Sequence, residues 1–135
     1  MDKEMLTLLL KNVLPEGICQ AFDVVSLTEK AHGIEMRLEE KTGLLPSVIK
    51  ETSTAVLDGF CNPLELLHFS LKGKPLYLRL YRRRWKASGS NTHYSNHYDF
   101  HPQGVKATHE FAAFLKGEAG CTADEYVRFL VGTQP

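Results

Sequence analysis

Apolar residues recur along this chain in two rhythms, one helical and one of period two. Near the N-terminus Met5, Leu6, Leu9, Leu10 and Val13 keep helical spacing. They predict an amphipathic helix running from an Asp2 cap to Leu14, with Pro15 as its stop. The stripe is wide, and its burial is expected. Beyond Pro15-Glu16-Gly17, the stretch Ala21–Thr28 is rich in Val and Phe, and Ile34-Glu35-Met36-Arg37-Leu38-Glu39 alternates strictly. These read as two strands. The short link Glu29–Gly33 predicts that they pair as an antiparallel hairpin.

Lys41–Lys50, with Gly43 and Pro46, reads as a connection. Strand composition returns at Thr52–Phe60, which Cys61-Asn62-Pro63 ends, and at Leu64–Leu71, closed by Lys72-Gly73-Lys74-Pro75. Leu76–Trp85 is the clearest strand. After a turn at Ser88–Asn91, His93–Phe100 has enough aromatics to pair back as a further strand. The rhythm then becomes helical again. Thr108 caps a helix with Phe111, Phe114 and Leu115 at i, i+3, i+4, and Gly117 suits its end. Thr122-Ala123-Asp124-Glu125 has capping-box spacing, and Tyr126, Phe129 and Leu130 repeat the stripe. The expected fold is α+β: a mostly antiparallel sheet, one N-terminal helix and two C-terminal helices, in a single domain over residues 1–135.

Composition adds limits. The chain has 135 residues, enough for one buried core. No apolar run approaches the ~18 residues of a membrane span, and MDKEMLTLLL lacks the pattern of a signal peptide. Cys19, Cys61 and Cys121 are three and widely spaced, which gives neither a disulfide framework nor paired zinc ligands. A reducing cytoplasm is the expected compartment.

Charge changes the picture more. Lys plus Arg and Asp plus Glu both number 16. Yet from Leu66 to Tyr98 there is no acid at all, and the window holds Lys72, Lys74, Arg79, Arg82, Arg83, Arg84 and Lys86. The rest of the chain is acidic. On a strand, Leu76, Leu78 and Leu80 share the core face. Tyr77, Arg79, Tyr81, Arg83 and Trp85 share the other and interleave rings with guanidinium groups. Such a face suits nucleic acid: arginine pairs with phosphate and rings stack on bases. Arg82 and Arg84 continue the leucine parity, so they are expected beyond the core edge. The competing reading is a solvated face whose arginines pair with Glu35, Glu39 and Glu40.

Two other constellations bear on chemistry. His93, His97 and His101 are spaced by four, but Asn-Thr-His-Tyr-Ser-Asn-His-Tyr-Asp-Phe-His-Pro is not a helical composition. Exposed or hydrogen-bonded histidines are expected, not a metal site. The last two helices carry Asp124 and Glu125 against Arg128, the wrong sign for a recognition helix. A Gly-rich phosphate loop, a nucleophile elbow and a metalloprotease helix are all missing from the sequence, so no catalytic residue, cofactor or metal is expected.

The segment His68-Phe-Ser-Leu-Lys-Gly-Lys-Pro-Leu-Tyr-Leu-Arg-Leu-Tyr-Arg-Arg-Arg-Trp85, followed by Gly104-Val-Lys-Ala-Thr-His-Glu-Phe-Ala-Ala-Phe-Leu-Lys116, resembles the N-terminal-region proteins of a bacterial insertion-sequence transposase family. In that family a D-F-P-hydrophobic-R-G-K turn precedes a strand ending in R-R-R-W, and a G-x-x-x-T-x-E-F-A-x-F-L-K helix follows. The opening helix ending at Leu14-Pro15-Glu16-Gly17 is similar too. The strong likeness covers about residues 58–116. His68 stands where the family has Asp, Ser70 where it has Pro and Lys72 where it has Arg. Larger relatives carry paired cysteines flanking these elements. Here there is Cys61 alone and then Lys86-Ala-Ser-Gly89, so zinc is not carried over.

The resemblance implies the separated head of a transposase, with catalysis encoded in another chain. The resulting expectation is a non-catalytic DNA-binding module with DNA, such as transposon ends, as partner and no membrane contact. Lys72, Lys74, Arg79, Arg82, Arg83, Arg84 and Lys86 would meet phosphates, and Tyr77, Tyr81 and Trp85 would support or stack. The alternative is a protein-interaction module that docks the catalytic transposase chain without touching DNA. A small enzyme built on the histidines is a third reading.

Overall fold

The computed structural model describes residues 2–49, 55–87 and 89–117. Helix α1 spans Lys3–Val13, and the Asp2 carboxylate accepts the Met5 N–H at 2.8 Å. A single turn, α2 (Ile18–Ala21), leads directly into β1 (Phe22–Lys30) and β2 (Gly33–Glu40). These two strands form the expected antiparallel hairpin, with a bulge between Val24 and Ser26. Then come β3 (Ala55–Phe60), β4 (Leu64–Leu71), β5 (Lys74–Tyr81), β6 (Arg83–Ala87), the two-residue β7 (His93–Tyr94) and α3 (His109–Lys116). The architecture is α+β with mostly antiparallel pairing. The second C-terminal helix read at Thr122 lies outside the described residues. No helix among the described residues is long and apolar enough to cross a membrane.

The strands form two sheets. One has the order β1-β2-β5-β4, and the other β3-β6-β7. Within the first, β2 and β5 run parallel, from Ile34 opposite Leu76 to Glu39 opposite Tyr81. Lys72 and Gly73 join β4 to β5, both with positive φ (51° and 78°), as a two-residue hairpin loop of this hand requires.

Period two decides the core. Ile34, Met36 and Leu38 on β2, Leu76, Leu78 and Leu80 on β5, and Leu66 on β4 are all buried. Leu14, Ile18, Ala21 and Phe22 pack over them, with Tyr98 and Phe100 at the margin. The opposite face is covered at one end. There Leu67 and Tyr77 lie with Ala107 and with Phe111, Ala112 and Leu115 of α3.

Three sequence expectations change here. The α1 stripe is not buried: Leu10 and Val13 alone pack against the core, half-buried, whereas Met5, Leu6, Leu8 and Leu9 are exposed. The last turn of the helix reaches the sheet and the earlier turns run past it. Leu76–Trp85 is not one strand either. It divides at Arg82, where the chain leaves the first sheet for the second and the Arg82 carbonyl accepts the Cys61 N–H at 2.9 Å. The strand expected over His93–Phe100 forms at His93 and Tyr94 alone, opposite Lys86 and Trp85.

Candidate nucleic-acid interface

The division at Arg82 determines what the basic tract presents. Along β5 the leucines face the core, so Tyr77, Arg79 and Tyr81 occupy the second face as the alternation requires. That face is not a free ring-and-guanidinium surface. Tyr77 is 5% exposed beneath α3, and burial pushes its phenol above the ordinary pKa. Arg79 lies between two carboxylates, 3.6 Å from Glu35 and 3.6 Å from Glu65. The Tyr81 ring is taken by Arg37, whose guanidinium carbon sits 3.9 Å from its centroid. Arg37 itself donates to Glu39 at 3.0 Å. These contacts follow the competing reading, in which the arginines meet the acidic hairpin.

Past Arg82 the inward and outward parities exchange. Trp85 is 6% exposed, so it cannot stack on a base. Arg83 also turns inward: its backbone N–H donates to the Glu40 carboxylate at 2.8 Å, its Nε donates to the Glu40 carbonyl at 2.7 Å, and its guanidinium covers Phe60 at 4.9 Å. Arg84 and Lys86 take the other parity on β6, with Arg82 just before them. Arg84 donates from Nε to the Asp58 carbonyl at 2.8 Å and pairs loosely with the Asp58 carboxylate at 3.7 Å. Lys86 lies opposite His93, which bonds the same carboxylate. That bond first, with help from Arg84 and Lys86, holds the Asp58 carboxyl below its ordinary pKa. Arg82 donates from Nη1 to the Asn96 carbonyl at 3.1 Å, and its Nε is buried without a partner.

The lysines of the tract do not join this group. Lys72 is exposed on the β4–β5 turn, and Lys74 pairs with Glu29 at 3.5 Å. Eight residues of extended chain separate Lys74 from Arg82, about 26 Å. A tract continuous in sequence is therefore split between the two ends of β5. Of the ten expected contact residues, Tyr77 and Trp85 are corrected to core positions. Arg79, Tyr81 and Arg83 are held by internal partners. Arg84 and Lys86 stay together around Asp58, Arg82 turns toward Asn96 just before them, and Lys72 and Lys74 stand apart.

Sequence reasoning missed Glu40 as a structural centre. Its buried carboxylate accepts from the Arg83 N–H, from Asn96 Nδ2 at 2.9 Å and from the Tyr98 hydroxyl. Burial and that hydrogen bond raise the Tyr98 phenol well above its ordinary pKa. A signal was available: Glu40 continues the inward parity of Ile34, Met36 and Leu38. His68 and Thr108 are a second missed pair, both buried and 2.7 Å apart. The three spaced histidines do not meet at one point, although His97 and His101 border one small cavity. His93 bonds Asp58, His97 is exposed, and His101 donates from Nδ1 to the Pro102 carbonyl at 2.8 Å. No group of three metal-ligating side chains occurs among the described residues. Cys19 is half-buried, and burial raises its thiol pKa, away from the thiolate a nucleophile needs.

Compared with protein-family models, with curated proteins and with solved structures, the chain matches none.

Proposed function

We propose that the chain is a non-catalytic nucleic-acid-binding module of the transposase type it resembles, acting with DNA as partner through a smaller surface than the basic tract suggests. One observation carries this reading. Where the chain enters the second sheet, Arg84 and Lys86 fall on one parity of a short strand, with His93 alongside and Asp58 as the carboxylate they share, and Arg82 lies just before the strand. Two strands and the 58–60 segment hold these groups in place, so they form a positioned phosphate contact rather than a loose charged tail. Three cations neutralising three phosphates give a log–log salt slope of about −2.7 on duplex DNA.

The test is a salt series of binding to random duplex and single-stranded DNA, with Arg84→Ala/Lys86→Ala as control. Salt-dependent binding that the double substitution weakens supports the reading. No binding at low salt by a folded protein sinks it.

A second reading is favoured by a different observation. The early turns of α1 leave Met5, Leu6, Leu8 and Leu9 exposed on one helix, an apolar surface of the kind that docks a protein. In this reading the partner is a separately encoded catalytic transposase chain. Co-purification with that chain that survives nuclease and is lost on Leu6→Ser/Leu9→Ser would select it over direct DNA contact.

A further inference from the structure

Beside Arg82, just past the end of β5, lies a small cavity of about 180 Å³. Phe22, Leu64 and Leu80 form an apolar wall, and Arg82, His97 and His101 bring in three nitrogen-bearing side chains. No carboxylate is among its lining residues. Its Tyr98 hydroxyl is committed to Glu40, which sits outside the lining. The cavity is well below the roughly 300–1,000 Å³ of a cleft for a drug-sized organic ligand.

The donors in it are not used up by the fold. Arg82 spends Nη1 on the Asn96 carbonyl, while its Nε is buried and has no partner. That N–H is closed off even from water, so an anion in the cavity would meet Arg82 through Nη2, which the Asn96 bond does not use. The His101 Nδ1 faces a carbonyl, which can only accept, so Nδ1 carries the proton and Nε2 remains for a ligand. His97 is exposed, so the cavity is reachable from solvent on that side. Arginine and two imidazoles against an apolar wall make a pocket for a compact oxyanion.

We propose that this cavity binds a phosphate group, with Arg82 as its fixed charge, His97 as a further donor and His101 Nε2 accepting from a phosphate hydroxyl. The same chemistry has two sources: free inorganic phosphate, or a phosphate monoester at a nucleic-acid 5′ end. In the second form the proposal rests on the nucleic-acid reading above. Arg82 then belongs to both sites, so an end phosphate would seat in the cavity while the following backbone runs toward Arg84 and Lys86.

Two measurements on the full chain, in buffer free of phosphate and sulfate, test this. The first follows the imidazole resonances of the six histidines by NMR as inorganic phosphate is added. The second compares the affinities of one single-stranded oligonucleotide with a 5′-phosphate and with a 5′-hydroxyl. Shifts confined to His97 and His101, with the phosphorylated end binding about tenfold more tightly, support the nucleic-acid form. His97→Ala/His101→Ala then erases that difference and leaves binding of the 5′-hydroxyl oligonucleotide unchanged. His97→Ala alone, at an exposed position, gives the same direction of change if the double variant does not fold. Shifts with equal oligonucleotide affinities, or with no oligonucleotide binding, support the pocket and assign it to free phosphate. In the no-binding case the nucleic-acid reading falls separately. The absence of shifts at His97 and His101 together with equal affinities overturns the pocket and leaves the nucleic-acid reading standing.

Discussion

Glu40 holds Arg83 twice over. Its carboxylate accepts the Arg83 backbone N–H at 2.8 Å, and its own backbone carbonyl accepts the Arg83 Nε at 2.7 Å. The end of β2 is thereby fastened to the first residue of β6, at the point where the chain passes between sheets. The same carboxylate takes Asn96 and Tyr98, so the 96–98 segment closes over that junction.

Glu40→Ala should therefore destabilise the fold by about 3 kcal/mol or more, because three donors lose one buried acceptor. Tyr98→Phe removes one donor and leaves the carboxylate two others, so about 1 kcal/mol is expected. Urea unfolding of both variants checks the pair. A Glu40→Ala loss no larger than that of Tyr98→Phe would remove Glu40 from the centre of the junction.

Stability should fall on mild acidification through His68. Its Nε2 lies 2.8 Å from the Val13 carbonyl, which can only accept, so Nε2 is protonated and Nδ1 accepts from the Thr108 hydroxyl. Burial, its largest influence, pushes the His68 pKa below the ordinary value. The folded state then binds fewer protons than the unfolded state, where histidine titrates near pH ~6.5. This contribution is full above that pH and is lost as pH falls from there through the lowered folded-state value. Urea midpoints from pH 8 to pH 5 should decline, and His68→Gln should flatten that slope. An unchanged slope in the variant assigns the decline to other groups.

The basic tract should separate into positions for binding and positions for folding. Arg84→Ala/Lys86→Ala removes two of three phosphate contacts, so the salt slope should fall by about 1.8 with the unfolding midpoint nearly unchanged. Tyr77→Ala empties a site beneath α3 and should cost about 3 kcal/mol. Partial unfolding is excluded by circular dichroism before affinities are compared. If the Tyr77 variant folds fully yet loses binding in proportion to the double variant, the division is wrong.

Gly33→Ala should be among the most damaging small substitutions. A Cβ there would meet the Pro75 carbonyl oxygen at 2.5 Å, and Gly33 has φ +150°. The obstacle is the backbone of the parallel neighbour, so no side chain can move aside, and a loss of about 2 kcal/mol or more is expected. Gly73→Ala, with open space around it, pays only the strain of positive φ and serves as the comparison in the same thermal melts.

Local order was legible wherever neighbouring residues suffice to set it. The Asp2 and Thr108 caps, the hairpin of β1 and β2, the turn at Lys72-Gly73 and the leucine face of β5 each depend on a few adjacent positions. What the candidate site presents was not. Period two assigns Tyr77, Arg79, Tyr81, Arg83 and Trp85 to one parity, but not to solvent. Helix α3 comes from more than thirty positions away to bury Tyr77, and Glu40, from beyond forty, draws Arg83 inward. The sheet change at Arg82 then exchanges the inward and outward sides.

By itself, then, the sequence determined most of the helices and strands and the α+β class they compose, though not the break at Arg82 or the short β7, because period, caps and turn residues act over a few bonds. It also gathered seven basic residues without an acid between Leu66 and Tyr98. Tertiary structure alone decided which of those charges are neutralised and which remain. An ion pair or a covering helix is set by distance in space, and the partners Glu35, Glu40, Asp58 and Glu65 lie on other strands.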